Sequence, residues 1–356
     1  MAIDTSAAGI VSAALPHSGD RGSLQVVEFE EKHIAEAARL HAGSYRRALE
    51  SNPALPASPL DPAPVEALLR RAIAAGPAVA ALHDGELAGY MGGYMGGFAV
   101  PGLRGAAAGI HVPEWAHGAR ELGRAETYEA LYTAISALWA EAGRLCHCIS
   151  VLAGDPDLEE SLIWLGFGLC VADAIRDLWP VPARRPTGVT VRQATLADTD
   201  ALGLLAEAHE AYYAAAPTFL YRRCQPDPRT EMESWLRTPG ESVWVAEIEG
   251  RAVSFLYMRP PHDDICRALR EPGTIAVGGA FTLPEARGRG LAGALLAAVV
   301  EWARRTGCEC VAVDFETANP LARRFWLRHF RPVCLTFERH LDERLAPSRP
   351  AAETAR

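Results

Sequence analysis

The stretch over residues 274–298 constrains the fold more than any other part of the sequence. Its apolar run over residues 275–281 predicts a strand, and Pro284 ends the run before a loop of arginine and glycine at residues 287–290. From Leu291 onward, apolar residues recur at helical spacing and predict a helix whose apolar side faces a core. The order of strand, glycine loop and helix indicates an α/β fold.

This loop is a candidate anion site. Successive backbone N–H groups in such a loop point the same way, and the following helix adds its unpaired N–H groups and the positive end of its dipole. Glycine is needed at Gly288 and Gly290 if the loop uses left-handed dihedrals, where a side chain costs about 1–2 kcal/mol. The Walker A pattern for phosphate binding does not match this loop, because no Lys-Ser/Thr follows it. The alternative is a tight turn without a ligand.

The pattern Arg287-x-x-Gly290-x-Ala292 resembles the acyl-CoA pyrophosphate loop of the GCN5-related N-acetyltransferase (GNAT) superfamily. Downstream, the run from Asn319 to Trp326 is similar to that superfamily's second signature, N-x-x-A-x-x-[FL]-Y. The resemblance implies acetyl-CoA as co-substrate. It also implies these cofactor-binding residues: Ala280, Phe281, Thr282, Arg287, Gly288, Arg289, Gly290, Leu291, Ala292 and Asn319.

The order of predicted elements occurs twice along the chain. A hairpin that turns at Asp84-Gly85 recurs at Glu249-Gly250, and other matches keep a nearly fixed offset. We therefore predict a mixed α/β fold with antiparallel-rich sheets, in two tandem GNAT-like domains. The predicted boundaries are a flexible leader over 1–23, a degenerate GNAT-like domain over 24–180, a linker over 181–187, an acetyl-CoA-binding GNAT domain over 188–344 and a flexible tail over 345–356.

The first copy is expected to lack an R/Q-x-x-G-x-G/A pattern just before the corresponding helix, over residues 112–127, and so to have lost the cofactor chemistry. Its corresponding helix opens with Glu121 and Glu126, which suit a helix N-terminus but repel a pyrophosphate. Asp157 stands where the second copy has Asn319. We expect this half to contribute structure, and it could supply one wall of the acceptor pocket.

Gly278 and Gly279 lie inside the predicted strand that precedes the loop. Glycines in a strand interior mark a bulge or the close approach of another group. The resemblance supplies such a group, because pantetheine amides would lie along Ala280, Phe281 and Thr282 like an added strand. The alternative is close packing of a helix on the sheet.

Acetyl transfer to an amine needs a base for the amine and an acid for the leaving thiolate. The family's usual acid is the tyrosine of the second signature, and this sequence has Trp326 there, whose indole cannot supply a proton. The candidate replacements are His329, Tyr212, Tyr213 and water.

Asp314 and Glu316 are the candidate bases, because they stand at the end of the predicted strand over residues 310–315. The alternative is that Asp314 caps the following helix and Glu316 is only solvated. The run His262-Asp263-Asp264 could order an amine, and an exposed acidic loop explains it equally well.

Composition limits the partners and the location. The formal net charge of −9 argues against nucleic acid, and no apolar run reaches the length of about 18–20 residues that spans a membrane. Two Cys-x-Cys pairs, at residues 146–148 and 308–310, could suggest a metal, but they lie far apart in sequence and fit buried, reduced thiols in a cytoplasmic protein. We expect no metal, and an oligomer is possible.

The sequence thus predicts a cytoplasmic N-acetyltransferase whose second domain transfers an acetyl group from acetyl-CoA to a primary amine of a small molecule or protein. The alternative is a catalytically silent acyl-CoA-binding or sensing module.

Overall fold

A computed structural model describes residues 24–95, 109–182, 186–221, 227–262 and 265–345. The predicted leader, most of the predicted tail, residues 183–185 of the predicted linker, and Asp263 and Asp264 lie outside the described residues.

The first half contains β1 (Leu24–Glu28), α1 (Ile34–Ser51), α2 (Ala63–Ala75), β2 (Ala78–His83), β3 (Glu86–Gly92), β4 (Tyr94–Met95), β5 (Gly109–Val112), β6 (His117–Ala119), α3 (Arg124–Glu141), β7 (Cys146–Leu152), α4 (Pro156–Trp164) and β8 (Gly168–Asp177). The second half contains β9 (Val189–Gln193), α5 (Thr199–Ala214), α6 (Pro228–Arg237), β10 (Ser242–Ile248), β11 (Arg251–Arg259), β12 (Thr274–Thr282), α7 (Leu291–Arg305), β13 (Cys310–Glu316), α8 (Pro320–His329) and β14 (Arg331–His340).

Two compact units form, and neither is continuous in sequence. Unit 1 takes the described residues up to 51, those of 57–169 and those from 336 on, whereas unit 2 takes residues 52–56 and the described part of 170–335. Unit 2 therefore includes most of β8 from the first half, and unit 1 includes the end of β14 from the second half. The boundaries at 180 and 188 stay a prediction about sequence repeats.

Unit 1 has two sets of neighbouring strands. One has the order β1-β2-β3-β6, and the other runs β4-β5-β7-β14. The predicted turn between β2 and β3 is confirmed at Asp84 and Gly85, which have φ of 51° and 82°. Two successive positive φ values suit a tight hairpin, and glycine adopts them without steric cost.

Unit 2 is built on one sheet with the strand order β8-β13-β12-β11-β10-β9. α7 packs on one face through a stripe of buried side chains that includes Leu295, Leu296 and Val299. α5 and α6 pack on the other face through Leu202 and Met232. Each fully buried large apolar side chain contributes about 1.5–3 kcal/mol of transfer free energy, so these helices are held on the sheet mainly by their apolar faces. The mixed α/β fold is confirmed.

Candidate acetyl-CoA and acceptor site

The glycine loop lies between β12 and α7, as the sequence predicts. Gly288 and Gly290 have φ of 75° and 80°, and Gly290 is the N-cap of α7. A Cβ at Gly290 would come no nearer than 3.8 Å to Pro186, so the backbone conformation rather than crowding favours glycine there. Because Gly290 has no side chain to cap the helix, the first N–H groups of α7 are suited to bind an anion.

Arg287 uses its side chain to brace the loop. Its Nε donates a hydrogen bond to the carbonyl oxygen of Thr282 at 3.0 Å, and its Cζ lies 4.7 Å from the centre of the Tyr212 ring. The guanidinium therefore holds the end of β12 and stacks on an aromatic face. A phosphate contact by Arg287 would come from its backbone.

All ten residues that the sequence assigns to the cofactor line a single cavity of about 640 Å³, which we call the loop cavity. The lining includes three arginines, two of which are among these ten, namely Arg287, Arg289 and Arg328, and no carboxylate occurs among its described lining residues. A cavity with this charge is suited to an anionic ligand.

The floor of the loop cavity is the part of β12 that separates from β13. The two strands pair in parallel only from Thr274 opposite Cys310 to Val277 opposite Val313. At Gly278 the register of β12 against β11 shifts by one residue, and a Cβ there would stand 2.7 Å from the Tyr257 ring. The predicted bulge is confirmed, and the strand end that follows it has no partner on β13.

A second cavity of about 560 Å³ adjoins the first, and we call it the carboxylate cavity. Four acidic side chains line it: Glu207 and Glu210 from α5, and Asp314 and Glu316 from β13. Its other polar walls include His209, Tyr212, Tyr213 and Tyr221. Among its described lining residues there is no lysine or arginine.

Six residues line both cavities: Tyr212, Ala280, Phe281, Asn319, Ala322 and Trp326. Asn319 is buried and caps α8, because its Oδ1 accepts from the backbone N–H of Ala322 at 3.2 Å. The same Oδ1 accepts from the Tyr212 hydroxyl at 3.0 Å. A phenolic proton is thus held at the junction of the two cavities.

The predicted bases lie together, and His329, one of the predicted acids, lies apart from them. Asp314 and Glu316 both face the carboxylate cavity, and Asp314 Oδ1 is 3.7 Å from His262 Nε2. The alternative that Asp314 caps the next helix is wrong, because Asn319 occupies that position. His329 lines the loop cavity only, and burial together with the charges of Arg176 and Arg328 lowers its pKa.

Burial, against a hydrogen bond with Asn319 and together with the negative charges of Glu316 and Asp314, raises the pKa of Tyr213 to about 12. Tyr213 is therefore protonated at neutral pH. The sequence analysis missed Glu207 and Glu210, although their spacing puts both on one side of a helix that also carries Tyr213. That spacing was the available signal.

The expectation that the first half lacks the R/Q-x-x-G-x-G/A pattern before its helix is wrong. Arg120, Gly123 and Ala125 repeat the spacing of the pattern at residues 287–292, and Gly123 is the N-cap of α3 with φ of 71°. The sequence alone could have identified Gly123 as the counterpart of Gly290 from this spacing. The N-cap of α4 is Asp155.

Asp155 is therefore the counterpart of Asn319, and the predicted match at Asp157 is corrected. The charges differ from those of the second half, because Arg124 at the start of α3 pairs with Asp155, and Glu121 Oε1 lies 3.1 Å from the Arg47 guanidinium. Carboxylates thus occupy the surroundings of this helix N-terminus.

Residues 206–330 match the Acetyltransferase (GNAT) family. This segment is a GNAT-family domain. The aminoglycoside N(6')-acetyltransferase type 1 of Serratia marcescens is 32% identical to the chain over 94 residues, which cover 26% of the chain and 64% of that enzyme. The solved GCN5-related N-acetyltransferase from Sphaerobacter thermophilus aligns with 91% of the chain and 96% of its own, with a TM-score of 0.54 and 17% identity. This likeness extends over both halves of the chain and confirms the predicted GNAT-type fold.

Among the described helices, none combines the length and the apolar character needed to cross a bilayer.

Proposed function

We propose that the protein is an N-acetyltransferase whose GNAT-family domain transfers the acetyl group of acetyl-CoA to a primary amine of an acceptor with more than one positive charge. The opposite charges of two adjoining cavities carry the proposal. The loop cavity has three arginines and suits the polyanionic cofactor, whereas the carboxylate cavity has four acidic side chains and suits a cationic acceptor.

The acetyl-CoA placement follows from the loop cavity. The pyrophosphate would bind the backbone of Gly288 and Gly290 and the first turn of α7. The pantetheine arm would run along the unpaired edge of β12 at Ala280, Phe281 and Thr282. This placement puts the thioester at the junction, next to Asn319 and the Tyr212 hydroxyl.

The chemistry needs two protons to leave the acceptor ammonium and one to reach the sulfur. A carboxylate of Glu316 or Asp314 would take the first proton from the ammonium, either directly or through water. The neutral nitrogen then forms a bond to the thioester carbonyl carbon, the nitrogen releases its second proton to water, and the C–S bond breaks. Tyr212 is the donor that we assign to the leaving thiolate, since its hydroxyl lies where the cavities meet.

A silent acyl-CoA-binding module is the second candidate, and Trp326 is the observation that favours it. An indole at the position of the family's usual acid cannot release a proton near neutral pH, so a chain that relied on that position would bind the cofactor without turnover. Tyr212 at the junction favours the enzyme over this alternative.

Turnover with a charged series of amines tests the proposal. We expect thiol release from acetyl-CoA with diamines and polyamines, and a much higher KM for monoamines of equal length. Glu210→Gln should raise the KM for a diamine about tenfold or more, because one charge-assisted hydrogen bond contributes about 1.5–3 kcal/mol. The KM for acetyl-CoA should not change.

Glu233→Gln is the matched control, because Glu233 lies on the neighbouring helix α6, pairs with Arg237 and lines neither cavity. Cofactor binding without turnover across the whole amine series would support the silent module. Equal KM values for neutral, singly charged and doubly charged acceptors would contradict the proposed acceptor class but not the transferase activity.

We also keep the cytoplasmic location as a proposal, consistent with the absence of a disulfide among the seven described cysteines.

A further inference from the structure

Unit 1 contains a compact cluster of metal-binding side chains on two neighbouring strands. Cys146 and Cys148 lie on β7, and Glu338 and His340 lie on β14. β14 is the neighbour of β7, and the backbone N–H of Leu341 donates to the carbonyl oxygen of Leu145 at 2.8 Å. Residues two apart on a strand share a face, so the four side chains form a two-by-two block on one side of the sheet.

The distances within this block are short. Cys146 Sγ lies 3.7 Å from His340 Nε2, and Cys148 Sγ lies 3.7 Å from Glu338 Oε2. The ligand atoms of Cys146, Cys148 and Glu338 all lie within 4.8 Å of one another. In a tetrahedral zinc site, bond lengths of about 2.0–2.3 Å place neighbouring ligand atoms about 3.4–3.8 Å apart. The two sulfur contacts already have that separation.

The composition of the cluster selects the metal. Thiolates and imidazole are ligands that zinc prefers, whereas magnesium and calcium require sets of oxygen ligands. We propose that Cys146, Cys148, Glu338 and His340 bind one Zn²⁺ ion. Because the protein supplies all four ligands, the site is closed and structural rather than catalytic.

Binding requires a small rearrangement and the loss of protons. His340 Nε2 lies 2.5 Å from Glu338 Oε1, so these two groups are hydrogen-bonded and must separate by about 1 Å to face a metal. The two thiols lose their protons as Zn²⁺ binds. Protons therefore compete with the ion, and the zinc affinity falls at low pH. His340 is 61% exposed, and this exposure gives the ion a path to the two buried sulfurs.

The site has a structural consequence for unit 1. Its ligands come from positions 190 and 194 residues apart in the chain, so the ion would fix the end of β14 to β7 across a long loop. This separation also explains why the Cys-x-Cys spacing at residues 146–148 does not predict a metal by itself. The second pair of ligands is recognisable only once the strands are paired.

Metal analysis of the full chain tests the proposal. Protein stripped with a chelator, incubated with ZnCl₂ and then desalted should retain one zinc per chain. Co²⁺ in its place should give the visible absorption bands of a tetrahedral, thiolate-ligated ion. Removing the zinc should lower the melting temperature by about 5–10 °C.

Paired variants locate the ion. The double variant Cys146→Ser, Cys148→Ser should retain no zinc, while Cys308→Ser, Cys310→Ser removes the other Cys-x-Cys pair and should retain one. His340→Ala alters an exposed side chain, so it should fold even if the double cysteine variant does not, and it should weaken zinc binding at least tenfold. Wild-type protein without zinc after this treatment, or equal zinc affinity in His340→Ala and wild type in a competition titration with a chelator, would overturn the proposal.

Discussion

At the scale of single residues, the junction of the two cavities decides how the leaving thiolate is protonated. Trp326 is buried there and packs edge-to-face against Phe325 and Phe330, at centroid distances of 4.8 and 5.3 Å. Its role in this environment is packing. Tyr212 holds its hydroxyl at the same junction, against Asn319.

We expect Trp326→Phe to keep kcat within about tenfold of wild type, because it removes one N–H and part of a ring but no acid. General acid catalysis is typically worth about 10²–10⁴-fold, so the two cases are well separated. Steady-state kinetics with saturating acetyl-CoA measure this. A loss of kcat beyond about a hundredfold, with folding and CoA affinity unchanged, would show that the indole acts in the transition state.

Tyr212→Phe should lower kcat by about 10²–10⁴-fold with little change in the KM for acetyl-CoA, because it removes the proton donor and keeps the ring beneath Arg287. Tyr213→Phe is the comparison, since this neighbouring residue also has a hydrogen bond with Asn319 but lines only the carboxylate cavity. Equal kcat values for the two variants would remove Tyr212 from the role of acid.

The sequence predicts the residues whose role depends on local backbone and misses those that tertiary structure brings together. Gly288 and Gly290 follow from a loop pattern, and their positive φ is local. The role of Glu207 and Glu210 is recognisable only when α5 and β13, with its two carboxylates, line one cavity. Catalytic assignments to such groups require the structure.

At the scale of single elements, β12 shows how one glycine opens a cofactor site. Gly278 takes up the register shift against β11, and parallel pairing with β13 ends just before it. The free edge that follows is the proposed pantetheine track. The helix after the loop was predictable in full, because α7 carries an uninterrupted apolar stripe between Gly290 and Gly307.

Gly278→Ala should destabilise unit 2 by about 1–3 kcal/mol, because the added Cβ would stand 2.7 Å from the Tyr257 ring and force it to move. Gly279→Ala is the control, since its Cβ would lie 3.6 Å from Phe255, an ordinary contact. Urea unfolding of both variants measures the difference. If Gly279→Ala were the more destabilising change, the contact with Tyr257 at the bulge would not be what requires glycine at position 278.

At the scale of the whole molecule, the units exchange segments in a way that the repeat does not reveal. Both halves end with a helix and a strand. The sequence does not indicate whether each final strand pairs within its own half or with a strand of the other half. The structure pairs β8 with β13 inside unit 2, from Val171 opposite Glu316 to Asp177 opposite Cys310. Strand partners at such sequence separation depend on the assembled core, and local patterns carry little information about them.

Acid should destabilise unit 1 through two buried histidines. Burial lowers the pKa of His117 and of His147 to about 4, so each binds a proton more weakly when folded than when unfolded. Their contribution to stability is full above pH 6.5, the ordinary value, and is lost as the pH falls from 6.5 through 4. Each accounts for up to about 3 kcal/mol.

Urea unfolding between pH 7 and 4 measures this loss. His147→Gln keeps a donor for the Arg144 carbonyl and should flatten the pH dependence by up to about 3 kcal/mol. His83→Gln, at an exposed position, should leave the slope unchanged. A wild-type stability that is constant from pH 6.5 to 4 would contradict the linkage.

The assignment of cofactor binding to the second half is tested most directly by calorimetric titration of CoA into three glycine variants. Gly290, Gly123 and Gly307 all have φ between 71° and 82°, so glutamate at each position brings similar backbone strain. Gly290→Glu also adds bulk and negative charge at the proposed pyrophosphate site. Losing two charge-assisted hydrogen bonds of about 1.5–3 kcal/mol each should weaken binding by more than a hundredfold.

Wild-type protein should bind one CoA per chain. Gly123→Glu at the start of α3 and Gly307→Glu at the far end of α7 should bind CoA as wild type does. Two equivalent sites in the wild type, unchanged affinity in Gly290→Glu, or loss of binding in Gly123→Glu would contradict the account.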